Sequence, residues 1–222
     1  EIAKKLNPSH FILASTSSVY GANKSIPFQE IDKSDLQLSF YAATKKANEV
    51  LSHTYAYNYK IPTTILRFFT VYGPWGRPDM APMIFAKAIS KEEIINVNNF
   101  GKMARDFTFI DDIVEGVYRC CLKPATPDQN FDFSNPSQET SFAPHRIFNI
   151  GGNEPVELLD FINVIERFFH KKAKINLCEF PLGDVISTSA DTKALEQWIS
   201  FKPKTPLTVG MDKFLNWFQE YY

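Results

Sequence analysis

Short apolar runs alternate with helical stripes along the chain. Residues 11–14, Phe-Ile-Leu-Ala, form an unbroken apolar run too short for a helix, which predicts a strand buried on both faces of a parallel sheet. Residues 63–69 repeat the signal with β-branched and aromatic side chains. Between them, residues 41–59 hold good helix formers and stop before Ile61-Pro62, which predicts a helix whose apolar face includes Ala43, Ala47, Val50 and Leu51. Residues 1–10 read as the last turns of an earlier helix, ended where Pro8 forbids continuation.

Downstream, residues 82–90 predict a helix and 94–97 a short strand. Residues 105–110 alternate as a strand before Asp111-Asp112 cap a helix reaching residue 122. Residues 146–150 predict another strand, closed by a turn at Gly151-Gly152. An amphipathic helix over 156–169 would bury Leu158, Leu159, Ile162, Ile165 and Phe169, followed by a strand at 174–178 and helices at 191–197 and 207–218. Residues 123–144 have four prolines and no period, so they predict a loop whose length points to an insertion or a mobile lid. Tyr55, Tyr59, Trp198, Trp217, Tyr221 and Tyr222 read as packing residues, and the histidines His10, His53, His145 and His170 as surface residues. Strands alternating with helices make the class α/β.

Composition narrows the function classes. Lys plus Arg total 24 against 25 for Asp plus Glu, a net charge of −1, which argues against a nucleic-acid or membrane-surface binder. No apolar run approaches the ~18 residues of a membrane span. The 3 cysteines include the adjacent Cys120-Cys121 and none has metal-ligand spacing, so no metal is expected and a reduced, cytoplasmic setting fits. The first residues lack the apolar stretch of a signal peptide.

The candidate chemistry lies in two stretches. Thr16-Ser17-Ser18-Val19-Tyr20-Gly21 follows the first strand, at the carboxyl end where open α/β sheets bind ligands. Tyr41-Ala42-Ala43-Thr44-Lys45 opens the helix after it. Positions i and i+4 share a helix face, so the Tyr41 phenol and Lys45 ammonium point the same way. A cation beside a phenol favours its phenolate, and the pair can supply a general base near neutral pH.

A third stretch, residues 66–80, reads Leu-Arg-Phe-Phe-Thr-Val-Tyr-Gly-Pro-Trp-Gly-Arg-Pro-Asp-Met. In this order and spacing the three stretches resemble the extended short-chain dehydrogenase/reductase superfamily. Within it they are most similar to the nucleotide-sugar epimerases, in particular the UDP-glucuronate 4-epimerase branch, and the likeness runs from about residue 11 to 222. The resemblance implies the C-terminal part of a doubly wound, Rossmann-like parallel sheet with a small α+β substrate-binding domain. Residues 1–80 would belong to the NAD-binding part and 81–222 mainly to the substrate part, with a return to the Rossmann sheet around 105–150. A dinucleotide-binding half opens with a Gly-rich turn, and none precedes Phe11. Roughly the first 100 residues of that unit are therefore expected to be absent, the chain being either a fragment or a naturally truncated protein.

The resemblance also assigns roles. Tyr41 would take the proton from the sugar 4-hydroxyl while the C4 hydride passes to NAD. Lys45 would hold the nicotinamide ribose, Thr16 would bridge substrate and tyrosine, and Ser15 and Phe68 would lie by the cofactor. Ser17 would face the sugar, and no carboxyl group follows Thr16, which disfavours dehydration or decarboxylation. Thr70 and Arg77 would grip a C6 carboxylate, which arginine's fork matches bidentately. Arg105 would bind the diphosphate and Asp184 the uridine ribose, whereas Arg67, inside a strand, reads as structural. The partners implied are a UDP-sugar and a second copy of the chain, docked through the helix bearing Tyr41 and Lys45. The implied activity is NAD-dependent 4-epimerisation of UDP-glucuronate to UDP-galacturonate. The alternatives are an epimerase of a neutral or amino sugar, or a truncated fragment without catalysis.

Overall fold

Two apolar strands, β1 (Phe11–Thr16) and β2 (Thr63–Phe68), run parallel, paired from Phe11 with Thr63 to Thr16 with Phe68. The computed structural model describes residues 1–180 and 187–222. A third parallel strand, β6 (His145–Ile150), completes the sheet in the order β1-β2-β6. Parallel neighbours need a crossover, and the first is α2 (Phe40–Tyr59), started by the Ser39 side chain accepting the Ala42 N–H at 3.1 Å. A short helix, α1 (Ile2–Leu6), precedes β1 and ends at Asn7 in the left-handed conformation.

The second sheet pairs β3 (Thr70–Tyr72) with β5 (Ala104–Phe109) in parallel, and β5 with β7 (Pro155–Glu157) antiparallel. Two further strands, β4 (Ile94–Val97) and β8 (Lys174–Leu177), form a small parallel pair. The helices α3 (Ala81–Ser90), α5 (Leu158–Phe169) and α7 (Leu207–Tyr221) close over the second sheet. They bury Phe107 stacked on Phe161 at 4.2 Å, with Phe109, Ile162, Phe214 and Leu215 around them. The helices α4 (Ile110–Leu122) and α6 (Lys193–Ile199) cover one face of the first sheet, packing Ile113, Cys120, Leu195 and Ile199 on Leu66, Phe148 and Ile150. The α/β class and parallel sheet are as the sequence implies. Because β3 joins the second sheet and β6 returns to the first, the chain passes between them more than once.

Several local expectations change. Residues 156 and 157 are not helical; they lie in β7, where Val156 pairs with Arg105, because the central strand β5 of the second sheet satisfies their backbone groups. Asp111 and Asp112 sit inside the first turn of α4 rather than capping it, and Asp112 Oδ2 instead accepts the N–H groups of Lys204 and Thr205 at 3.0 and 2.8 Å. The inward face of α2 is Ala42, Glu49, Ser52 and Ala56, so Ala43, Ala47, Val50 and Leu51 point outward. His145 is buried on β6, in edge contact with the half-buried His53 at 5.0 Å. His10 is also half-buried, bonded to Thr64 at 2.9 Å, and His170 alone of the four is exposed.

Residues 123–144 contain no helix or strand. They lie against α2, with Phe131, Phe133 and Phe142 packed on one another and Gln138 Oε1 accepting from Lys46 Nζ at 2.9 Å.

Candidate active site

Chain alternation at the ends of β1 and β2 decides which side chains reach α2. Ser15 and Arg67 turn toward it and are buried against Glu49, whereas Phe68 turns to the opposite face with Leu66 and Phe148. The Ser15 hydroxyl is thus committed inside the fold, donating to Glu49 Oε1 at 2.6 Å. Arg67 is fully buried, as an in-strand arginine should be only when its charge is met. Burial works against its charge, but the Glu49 hydrogen bonds and charge outweigh that and hold it above its ordinary value.

At the end of β1 the chain enters a 3-10 turn, Ser17–Tyr20. Thr16 caps that turn: its Oγ1 accepts the Ser18 N–H at 3.2 Å and donates to Ser18 Oγ at 3.2 Å. Tyr41 lies in the first turn of α2, 53 % exposed. Lys45, one turn on, sends Nζ to the Ala14 carbonyl at 3.1 Å and to 5.9 Å from the Tyr41 ring centre. Phenol and ammonium thus lie together above β1, and Thr16 ends that strand.

Beside them opens a cleft of about 160 Å³ that Ser17, Thr70 and Arg105 all line. Arg105 is placed by the residue after it. Asp106 is fully buried and accepts the N–H groups of Gly152 at 2.8 Å, Asn153 at 3.0 Å and Ala190 at 3.0 Å. Burial raises its carboxyl above the usual range in spite of those bonds. The Gly151-Gly152 turn is thus a turn, wrapped around a carboxylate. The same anchor draws residues 187–190 beside β5, where the Thr188 N–H reaches the Ala104 carbonyl at 3.3 Å and Thr188 joins Arg105 at the cleft.

Of the expected site residues only Ser17, Thr70 and Arg105 line the cleft; Ser15 is spent on Glu49, and Phe68 lies on the sheet face away from α2 rather than where the resemblance put it. Arg77 does not line the cleft; its fork closes on Asp79, Nε to Oδ1 at 2.9 Å and Nη2 to Oδ2 at 2.8 Å, with both side chains exposed. That hydrogen bond and charge, and more weakly Tyr41, hold the Arg77 guanidinium above its ordinary value. The loop carrying it is braced by Trp75, which packs on Trp217 at 5.5 Å and Tyr221 at 4.7 Å. Asp184 lies outside the described residues.

The cleft also contains residues that sequence reasoning passed over: Ser18, Tyr20, Phe28, Ser39 and Thr188. Ser18 and Tyr20 were visible within the motif after β1, but Phe28 and Thr188 arrive through long-range pairing, Phe28 bridging to Ala190. No residue of the 123–144 loop lines the cleft; the loop packs against α2 instead. Among the described residues no cluster of histidine, cysteine or carboxylate could hold a metal, and no helix is long and apolar enough to cross a membrane.

Comparison with known proteins gives a consistent picture. The profile of the NAD dependent epimerase/dehydratase family matches residues 1–151. The chain is 49 % identical to Protein CapI of Staphylococcus aureus over 222 residues, covering 100 % of this chain and 66 % of that protein. It is 44 % identical to a probable UDP-glucuronate 4-epimerase of Rhizobium meliloti (strain 1021), covering 100 % of this chain and 65 % of that one. Among solved structures it matches a UDP-glucuronic acid 4-epimerase from Bacillus cereus, determined in complex with UDP-glucuronic acid and NAD. That match has a TM-score of 0.85 at 31 % identity and covers 99 % of this chain and 64 % of that one. The chain thus spans just under two thirds of the length of these relatives.

Proposed function

Since the chain belongs to the NAD-dependent epimerase/dehydratase family, we propose that it carries the catalytic and sugar-binding part of an NAD-dependent UDP-glucuronate 4-epimerase. The observation that carries this reading is Lys45 held between the Tyr41 ring and the Ala14 carbonyl near the end of β1, with a cleft lined by Ser17, Thr70 and Arg105 opening where the chain leaves that strand.

The residues present fit the nicotinamide end of a dinucleotide. A half-exposed phenol and an ammonium resting on a strand-end carbonyl form a polar donor set at the carboxyl end of a parallel sheet. Tyr41 and Lys45 would hold the nicotinamide ribose, with the Ser15 strand end behind them. When bound, NAD would supply the group that takes up and returns the C4 hydride.

The protein's own work is orientation and proton transfer. Tyr41 accepts the proton of the 4-hydroxyl, and Thr16 bonds the same oxygen. Ser17 and Thr70 face the sugar, and Arg105 meets the diphosphate with charge-assisted bonds. Asp184 would complete the nucleotide site. Once the 4-keto sugar has turned its other face, Tyr41 returns the proton. The absence of a carboxyl group after Thr16 leaves no acid for elimination.

Arg77 would leave Asp79 to take the C6 carboxylate. A second reading, an epimerase of a neutral or amino sugar, is favoured by Arg77 being held outside the cleft. We also propose a homodimer through α2, supported by an outward stripe that exposes Phe40, Val50, Leu51 and Tyr57. Three free cysteines accord with a cytoplasmic site.

The test is incubation of the purified chain, alone and joined to a Gly-rich dinucleotide-binding half, with NAD and UDP-glucuronate. Chromatographic appearance of UDP-galacturonate supports the reading. Turnover of UDP-N-acetylglucosamine or UDP-glucose in its place selects the second reading, and no turnover in either form refutes both.

A further inference from the structure

Tyr41, Lys45 and Glu49 occupy positions i, i+4 and i+8 of α2. The first two serve the site, and the third is 2 % exposed. Its carboxylate receives Ser15 Oγ from the end of β1 at 2.6 Å and the Arg67 fork from β2, Nε to Oε1 at 3.0 Å and Nη2 to Oε2 at 2.9 Å. Burial alone would raise the Glu49 carboxyl, but the bonds from Arg67 and Ser15 and the Lys46 charge together hold it below its ordinary value. One ionised carboxylate therefore ties the base-bearing helix to the carboxyl ends of two strands.

The tie extends to the cleft. The Arg67 guanidinium lies 4.8 Å from the Tyr20 ring centre; that ring stacks on Phe28 at 4.7 Å and its hydroxyl donates to Asn149 Oδ1 at 2.7 Å. Tyr20 and Phe28 are cleft walls.

Stability does not explain the pair. A buried ion pair roughly breaks even with apolar side chains of the same volume, and its best-attested use is to specify register. Other polar ties of α2, Lys45 Nζ to the Ala14 carbonyl at 3.1 Å and Lys46 Nζ to Ser34 Oγ at 2.6 Å, each hang on the single end atom of a long, flexible side chain. Besides Glu49 the fully buried residues of α2 are Ala42, Ser52 and Ala56, and such small side chains by themselves fix little of a helix's position on a sheet. A directional, bidentate bond admits one position.

We propose that Glu49, acting through Arg67, is a positioning residue that sets the height and rotation of Tyr41 and Lys45 over β1 and locks them to the Tyr20 wall of the cleft. The inference rests on the catalytic reading above for its consequence in turnover, though not for its consequence in structure.

The deciding variant is the double substitution Glu49→Met with Arg67→Met, which fills the space without leaving an unpaired charge. A second, Glu49→Asp, keeps the charge and shortens the reach by one methylene. Both are compared with the full wild-type chain for thermal unfolding, for kcat and KM with UDP-glucuronate and NAD, and for amide hydrogen exchange. The double variant should melt near wild type, with kcat down at least about tenfold and KM within about twofold, the signature of a misplaced catalytic group. Glu49→Asp should fall between the two. Exchange should rise only in peptides covering residues 17–30 and 39–59. Wild-type kcat in a folded double variant overturns the proposal, and so does exchange that is unchanged or raised uniformly. If the wild-type chain shows no turnover, the catalytic reading fails by itself. Exchange then decides the positioning role: a confined rise supports it and any other pattern overturns it.

Discussion

The Lys45 ammonium sits one turn along α2 from Tyr41, 5.9 Å from the ring centre, and is held there by the Ala14 carbonyl at 3.1 Å. The lysine is thus tied to β1 as well as to its own helix, and the phenol keeps a cation beside it. Replacing Tyr41 by Phe removes only a hydroxyl on a half-exposed ring. Turnover should fall by roughly 10²–10⁴-fold, the usual worth of a positioned proton-transfer group. Melting should hardly move, and initial rates with a thermal scan check both.

Arg77 and Asp79 form a bidentate, exposed pair. Such an exposed pair adds little to stability because solvent screens it, so breaking it leaves the fold intact. Arg77→Ala should raise KM for an acidic sugar by about tenfold or more, the scale of a lost charge-assisted bond, and leave a neutral sugar unaffected. Asp79→Asn should lower KM for the acid by releasing the fork. Steady-state kinetics on UDP-glucuronate and UDP-glucose separate these outcomes.

Gly21 ends the turn after β1 with φ of 55° and ψ of −118°. A Cβ there would meet the Leu36 carbonyl oxygen at 2.0 Å. Gly21→Ala therefore combines backbone strain of about 1–3 kcal/mol with a clash against backbone that cannot swing away. Urea denaturation should show a loss of at least that size.

Glu30 is buried beside Asn149, whose N–H it accepts at 2.7 Å. Burial pushes its carboxyl up to about 7 from the ordinary 4.5. The folded chain thus binds a proton that the unfolded chain has released, so this group's stability is complete below 4.5 and lost as pH rises through 7. Glu30→Gln should flatten that part of the stability profile, measured by denaturation at stepped pH.

His145 acts in the opposite direction. Burial first, then the His53 charge, pushes it down to about 3 from 6.5. Its contribution is complete above 6.5 and falls as pH drops toward 3, because the unfolded chain takes the proton first. His145→Phe should make acid unfolding shallower over that window while altering the profile little above it.

Much of the fold was legible because its signals are local. The apolar runs mark strands, and β1 and β2 appear where they stand. But β1 is an edge strand of the described sheet, with Phe11, Ile12 and Leu13 half-buried and Ala14 exposed, not a strand buried on both faces, because no described strand pairs on its outer side. The Tyr41–Lys45 pairing follows from helical period alone, and Arg67 read as structural because a strand interior offers an arginine no water. Local signals failed where a distant segment decided the outcome. Val156 continues a helical pattern but pairs with Arg105. The outward stripe of α2 is its more apolar side, because Glu49 is drawn inward by a partner 18 residues away. His145 is buried because β2 and the 123–144 loop pack over it, and Thr188 reaches the cleft because Asp106 holds Ala190 across 84 residues.

The chemical types at the site, hydroxyl, phenol, ammonium and guanidinium, and the elements that bear them, were therefore set by spacing within a few residues. Which of them share a cleft, and that the Ser15 hydroxyl is already spent on Glu49, were decided only by tertiary packing. Side-chain period is fixed by backbone geometry, whereas contacts between residues far apart in the chain depend on how whole sheets and helices close together.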